Sequence, residues 1–197
     1  MNLPNKLTVL RLVLIPFMMF FYLATFIPYG IGKIVALVIF IAAALTDLLD
    51  GKIARKYNLI TNLGKFLDPI ADKILTTTTF ILVIVDGTIP EPWGVIMVSI
   101  IIAREFAVSA LRLMAAKNGI VLAADIWGKA KTMVQMIALP FAMILAYIYC
   151  CGFEIANWLI ILVKCCAYSS LLVATALTVI SGCNYLAKNS ACFKEDK

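Results

Sequence analysis

Residues 47–72 read DLLDGKIARKYNLITNLGKFLDPIAD, and apolar runs flank them on both sides, IVALVIFIAAALT at 34–46 and ILTTTTFILVIV at 74–85. The first run is too short to cross a bilayer alone, since a helical span takes about 20 residues. It must therefore continue into the charged stretch. Asn58–Asn62 is a turn signal that separates this helix from the next. Two helices thus meet at one membrane surface, and their facing ends are rich in ionisable groups. Ionisable residues at membrane depth are costly and point to function by default.

Helical phase sharpens the expectation. At about 100° per residue, Asp47, Asp50, Gly51 and Ala54 fall on one stripe, with Arg55 at its border. Gly64, Asp68 and Asp72 share another, at i, i+4 and i+8. Facing each other, the stripes would gather four carboxylates, which cannot all stay ionised unless cations compensate them. Carboxylate oxygens are preferred ligands of magnesium, manganese or calcium. Two such ions could bridge a pyrophosphate, and Gly51 and Ala54 leave room for a phosphorylated ligand. The plainer alternative pairs these acids with Lys52, Arg55, Lys56, Lys65 and Lys73 in an interfacial network. Four acids on two aligned stripes, with small residues interleaved, favour the metal reading.

Working outward, 63% of the 197 residues are hydrophobic and 14% charged, the charges clustering between long apolar runs. A soluble domain of this size could not hide so much apolar surface. The expected fold is an all-α integral membrane protein, a single domain over 1–197. Six transmembrane helices are expected near 11–29, 34–56, 65–86, 92–116, 124–150 and 157–187, after a short amphipathic segment at 4–10. Arg11 interrupts the first apolar run and no small-residue cleavage site follows, so that segment is expected to be retained rather than removed as a signal peptide. One side collects Lys6, Arg11, Lys52, Arg55, Lys56, Lys65, Lys117, Lys129, Lys131, Lys188, Lys194 and Lys197. The other offers Lys33, Asp86, Glu91, Glu154 and Lys164. This asymmetry puts both termini and the aspartates in the cytosol. The net charge of +6 is then a topology signal, and no continuous basic face suggests nucleic acid. The six cysteines form no CxxC pair and mostly lie in apolar runs, which suits neither zinc nor a disulfide framework. Histidine is absent, so acid–base work falls to carboxylates, Lys, Tyr or Cys.

The spacing Asp47-x2-Asp50-Gly51-x2-Ala54-Arg55-x8-Gly64-x3-Asp68-x3-Asp72 resembles the complete signature of the CDP-alcohol phosphotransferase family. The resemblance implies six transmembrane helices, a homodimer and a site open to the cytosolic leaflet of a bacterial-type inner membrane. It implies two Mg2+ or Mn2+ ions, one held by Asp47, Asp50 and Asp68, the other by Asp47, Asp68 and Asp72. Carried over residue by residue, Gly51, Ala54, Arg55 and Gly64 belong to the CDP site, and Asp72 is the general base. The donor implied is a CDP-linked membrane lipid, CDP-diacylglycerol.

The acceptor must be read elsewhere. An anionic alcohol needs cations near the metals, and Arg104, Arg112, Lys129 and Lys131 are candidates. Arg104 lies inside an apolar helix, where an ionisable residue points to function; the plainer alternative is pairing with its neighbour Glu105 and a packing role. The segments NLPNKLTVLR, AREFAVSALRLMAAKNG and GKAKTMVQM resemble bacterial phosphatidylglycerophosphate synthases, the glycerol 3-phosphate users of the family. That resemblance covers roughly residues 2–136. It implies that Asn5, Thr8 and Arg11 line the nucleotide or acceptor entrance, and that Arg104, Arg112, Lys129, Lys131 and Arg11 serve the acceptor phosphate. Residues 137–197 add little to this reading. Rival readings are the same chemistry on inositol phosphate, serine or phosphatidylglycerol, and, more remotely, a divalent-cation channel. A channel expects acids near mid-membrane and leaves Gly51, Ala54 and Arg55 without a role.

Overall fold

The computed structural model describes residues 2–56, 62–117, 126–151 and 157–188. These form six helices: α1 Leu3–Leu23, α2 Ile31–Lys56, α3 Asn62–Val85, α4 Trp93–Lys117, α5 Ile126–Cys151 and α6 Asn157–Lys188. A 3-10 turn, Pro28–Gly30, leads into α2. Gly30 takes a positive φ of 64° there, a conformation glycine adopts without steric cost.

All-helical structure is the physical answer to this composition. Without water to bond free N–H and C=O groups, a lipid-embedded backbone must satisfy itself within each helix. Hydroxyls follow the same rule: Thr79 Oγ1 donates to the Leu75 carbonyl (2.8 Å) and Thr178 Oγ1 to that of Ala174 (2.6 Å). Among the described residues, four helices contain stretches long and apolar enough to cross a bilayer, Asn5–Leu23, Trp93–Arg112, Ala130–Cys151 and Asn157–Tyr185.

The amphipathic lead-in expected at 4–10 is not a separate element. It forms the first turns of α1, which starts at Leu3 and already ends at Leu23. Nothing between Pro4 and Arg11 breaks a helix, and Pro4 sits where a missing N–H is harmless. The other five expected spans fall within a few residues of α2 to α6.

The helices pack as a bundle. α1 lies along α2 and against α3, α5 along α6, and α4 against α6, while α2 and α3 both meet α5. Met18, Ala36, Phe40, Ala43, Leu75, Val83, Leu139, Met143 and Leu171 fill the core. The outer surface is apolar too: Phe17, Phe20, Val38, Ile81, Val85 and Leu172 are exposed, as a lipid-facing wall requires. Close approach is fixed at Gly32, where a Cβ would meet the Phe21 carbonyl oxygen at 2.3 Å. Only glycine lets α2 begin flush against the end of α1.

At the end of the bundle far from Asp47, polar groups close on one another. Lys33 pairs with Asp86 and its Nζ sits 4.5 Å from the centre of the Tyr22 ring. Asp86 Oδ2 accepts from Thr88 Oγ1 at 3.0 Å and from the Tyr22 hydroxyl at 3.5 Å. Tyr168 of α6 donates to the Thr88 carbonyl at 3.1 Å. This network joins α1, α2, α6 and the turn after α3.

Candidate catalytic site

The buried face of α1 changes character along its length. Thr8, Arg11, Ile15, Met18 and Tyr22 share one stripe, all at most 4% exposed. The apolar members join the core, and the polar ones reach the acids of α2 and α3. Arg11 Nη1 lies 2.7 Å from Asp47 Oδ1. Thr8 Oγ1 donates to Asp68 Oδ1 at 2.6 Å. Asn5, one turn earlier, is also buried. So α1 ties the end of α2 to the start of α3. The side chains of the expected interfacial partners Lys52, Arg55, Lys56 and Lys65 lie outside the described residues, and Lys73 donates to Ser109 of α4.

Asp72 stands one turn beyond Asp68 on α3. The charges acting on it come from Asp47 and Glu105, opposed by Arg11 and Lys73. Three cations are buried in the described part of the bundle, Arg11, Lys33 and Lys131, and each has a carboxylate partner. Lys131 of α5, only 1% exposed, pairs with Glu105 of α4. Ser109 donates back to the Glu105 carbonyl at 2.7 Å, so Lys73, Ser109, Glu105 and Lys131 form one chain across α3, α4 and α5. Among the described residues, neither Asp68 nor Asp72 is ion-paired.

Glu105 does not serve Arg104, its sequence neighbour. Adjacent residues on a helix point apart, and Arg104 turns to α6, where its Cγ and Nε flank Gly182. Arg112 is exposed on its outer side and stacks over the Tyr185 ring at 5.6 Å. Residues beyond 137 therefore do bear on this region, contrary to the sequence expectation. Gln135, one turn after Lys131, is 2% exposed, and its Nε2 has no hydrogen-bond partner among the described residues. The side chains of Asp50, Gly51, Ala54, Arg55 and Lys129 lie outside the described residues, although their backbones are helical. Gly64 is buried at the start of α3.

The donor set is all carboxylate, which fits a hard divalent cation. Among the described residues no three ligating side chains are gathered as a closed metal site. Glu105 and Lys73 are the charged residues that sequence reasoning undervalued. The signal was available for Glu105, an acid within an otherwise apolar helix. Gly182 and Tyr185 carried no such signal.

Comparison with known proteins adds the following. The family model described as CDP-alcohol phosphatidyltransferase matches residues 1–180. A CDP-diacylglycerol–glycerol-3-phosphate 3-phosphatidyltransferase of Bacillus subtilis (strain 168) is 41% identical over 98% of this chain and 97% of its own length. A protein of the same name from Rickettsia bellii is 36% identical over 98% of this chain and 96% of its own. Another, from Haemophilus influenzae, is 39% identical over 70% of this chain and 73% of its own.

Proposed function

The chain belongs to the CDP-alcohol phosphatidyltransferase family, and we propose that it transfers the phosphatidyl group of CDP-diacylglycerol to sn-glycerol 3-phosphate, releasing CMP. The names of its full-length relatives supply the donor and acceptor. The observation that carries the acceptor's charge is Lys131, buried in the bundle with Arg104, Glu105 and Asp72 as its charged surroundings. A cation held out of water beside the reacting acids suits a phosphorylated alcohol and would be wasted on a neutral one.

The chemistry then follows from the residues. The acceptor hydroxyl gives its proton to the Asp72 carboxylate as its oxygen bonds to the lipid-side phosphorus of the donor. The bond from that phosphorus to the CMP oxygen breaks, and CMP leaves with the electron pair. Asp72 suits the role of base because it lies near Asp47 and Glu105 without an ion-pair partner among the described residues. Arg11 and Thr8 orient Asp47 and Asp68, and Lys131, Arg104 and Arg112 hold the acceptor phosphate. Gly51, Ala54, Arg55 and Gly64 keep the parts assigned by the signature, and Lys129 and Asn5 those assigned by the wider resemblance. Divalent metal is the family's cofactor; Asp47, Asp50 and Asp68 would hold one Mg2+ or Mn2+, and Asp47, Asp68 and Asp72 a second, to neutralise the pyrophosphate.

The same reading has α2 and α3 crossing the membrane with the other four helices. Their charged ends face the cytosol at a bacterial inner membrane, and the enzyme works as a homodimer. Purified protein given CDP-diacylglycerol and a panel of acceptors tests the proposal. CMP release is expected with glycerol 3-phosphate and not with serine, inositol phosphate or phosphatidylglycerol. Release with serine alone would overturn the acceptor while leaving the family chemistry standing.

A further inference from the structure

The reading of Arg104 and Arg112 as acceptor-phosphate ligands leaves open what fixes their direction. Long cationic side chains have many rotamers, and an arginine that must wait in place for a small anion needs a surface to lie on. Helix α6 supplies two. Thr178, Ser181, Gly182 and Tyr185 follow i, i+3, i+4, i+7 spacing, and all four are buried. They meet α4, whose Ile101, Arg104, Val108 and Arg112 fall on one stripe of their own.

Each member of the α6 stripe has a separate part. The hydroxyls of Thr178 and Ser181 bond to carbonyls of their own helix, at 2.6 and 3.2 Å, so they contribute small size rather than ligands. Gly182 leaves a gap. A Cβ there would stand 3.2 Å from Arg104 Cγ and 3.7 Å from Arg104 Nε, the first inside the usual carbon contact distance of about 3.5–4.0 Å. Tyr185, 3% exposed, lies with its ring 5.6 Å from the Arg112 guanidinium carbon, within cation–π range. One arginine rests in a groove and the other on a ring, a single α6 turn apart.

We propose that Gly182 and Tyr185 are positioning residues for the acceptor: Gly182 sets the path of the Arg104 side chain across α6, and Tyr185 holds the Arg112 guanidinium. Neither residue needs to touch the reacting atoms. Their effect should appear in the acceptor's apparent affinity and not in that of the CDP-lipid. The inference rests on the reading of both arginines as acceptor ligands, and the test separates the two claims.

Kinetics of purified Gly182→Ala, Tyr185→Leu and Tyr185→Phe, with Arg104→Ala and Arg112→Ala as references, provide that test. Alanine is a better helix former than glycine, so Gly182→Ala is not expected to loosen the fold. Gly182→Ala and Tyr185→Leu should each raise the KM for glycerol 3-phosphate about fivefold. The KM for CDP-diacylglycerol and the thermal unfolding midpoint should stay near wild type. Tyr185→Phe keeps the ring and should restore the wild-type acceptor KM. If the arginine variants raise the acceptor KM and the α6 variants do not, the positioning role is wrong. A uniform loss of kcat with a lowered unfolding midpoint would equally reduce α6 to a structural support. If Arg104→Ala and Arg112→Ala themselves leave the acceptor KM unchanged, the underlying assignment falls first.

Discussion

Two polar clusters sit at opposite ends of this bundle, built from similar residues with different accounts of charge. At the far end, one acid and one cation, Asp86 and Lys33, meet three hydroxyls, and every group has its partner within the cluster. At the other end, Arg11–Asp47 and Lys131–Glu105 are paired, while Asp68 and Asp72 have no ion-pair partner among the described residues. A closed cluster removes its own desolvation penalty and can serve as a fastener between helices. Carboxylates without an ion-pair partner are stabilised when something from outside brings positive charge, and that marks this end as the candidate site.

The difference should be largest when an acid is neutralised at either end. Asp47→Asn is expected to cut CMP release about a thousandfold or more, with loss of metal and CDP-lipid binding measured together. Asp86→Asn should leave turnover within about twofold and show its effect in the unfolding midpoint. Comparable activity losses from both would dissolve the distinction between fastener and site.

Next in size comes a separation within the site. Asp72→Asn should abolish turnover while CDP-lipid binding, followed by titration, largely survives, because only the proton acceptor has gone. Equal partial losses of binding and turnover in Asp72→Asn and Asp47→Asn would contradict the division of roles. Lys131→Ala should raise the glycerol 3-phosphate KM by roughly ten- to a hundredfold. An unchanged acceptor KM would remove the case for a phosphate subsite there.

Smaller effects probe the supports. Thr8→Val deletes one charge-assisted hydrogen bond to Asp68, and a fall in kcat of roughly tenfold is expected. At the fastener, Lys33→Met leaves Asp86 without its cation and should lower thermal stability. The double variant Lys33→Met, Asp86→Leu should recover part of that loss, since two apolar groups in place of a pair can be nearly neutral. Activity should stay close to wild type in both, measured beside the stability.

Hydropathy made most of the helical layout legible, because backbone satisfaction in an apolar chain leaves few choices. The continuity of α1 from Leu3 was missed, since Arg11 read as an interruption until it was seen to point inward to Asp47. Helical phase put the aspartates of α2 and α3 on two stripes. It could not supply Thr8 and Arg11 as their partners, which lie 60 and 36 positions away in the chain. Glu105 was weighed as the partner of Arg104 beside it, and it belongs instead to Lys131, across a helix contact. The role of α6 was invisible for a similar reason. A glycine and a tyrosine in an apolar helix announce nothing until the neighbouring arginines are seen against them.

The central claim meets its most direct test in the incorporation of radiolabelled glycerol 3-phosphate into lipid by purified wild type, Asp47→Asn and Asp86→Asn, with CMP measured in the same tubes. The account predicts one CMP for each label transferred by the wild type, near-equal transfer by Asp86→Asn, and none above background by Asp47→Asn. Label that stays in the aqueous phase with wild-type protein, CDP-diacylglycerol and Mg2+ or Mn2+ present would contradict it.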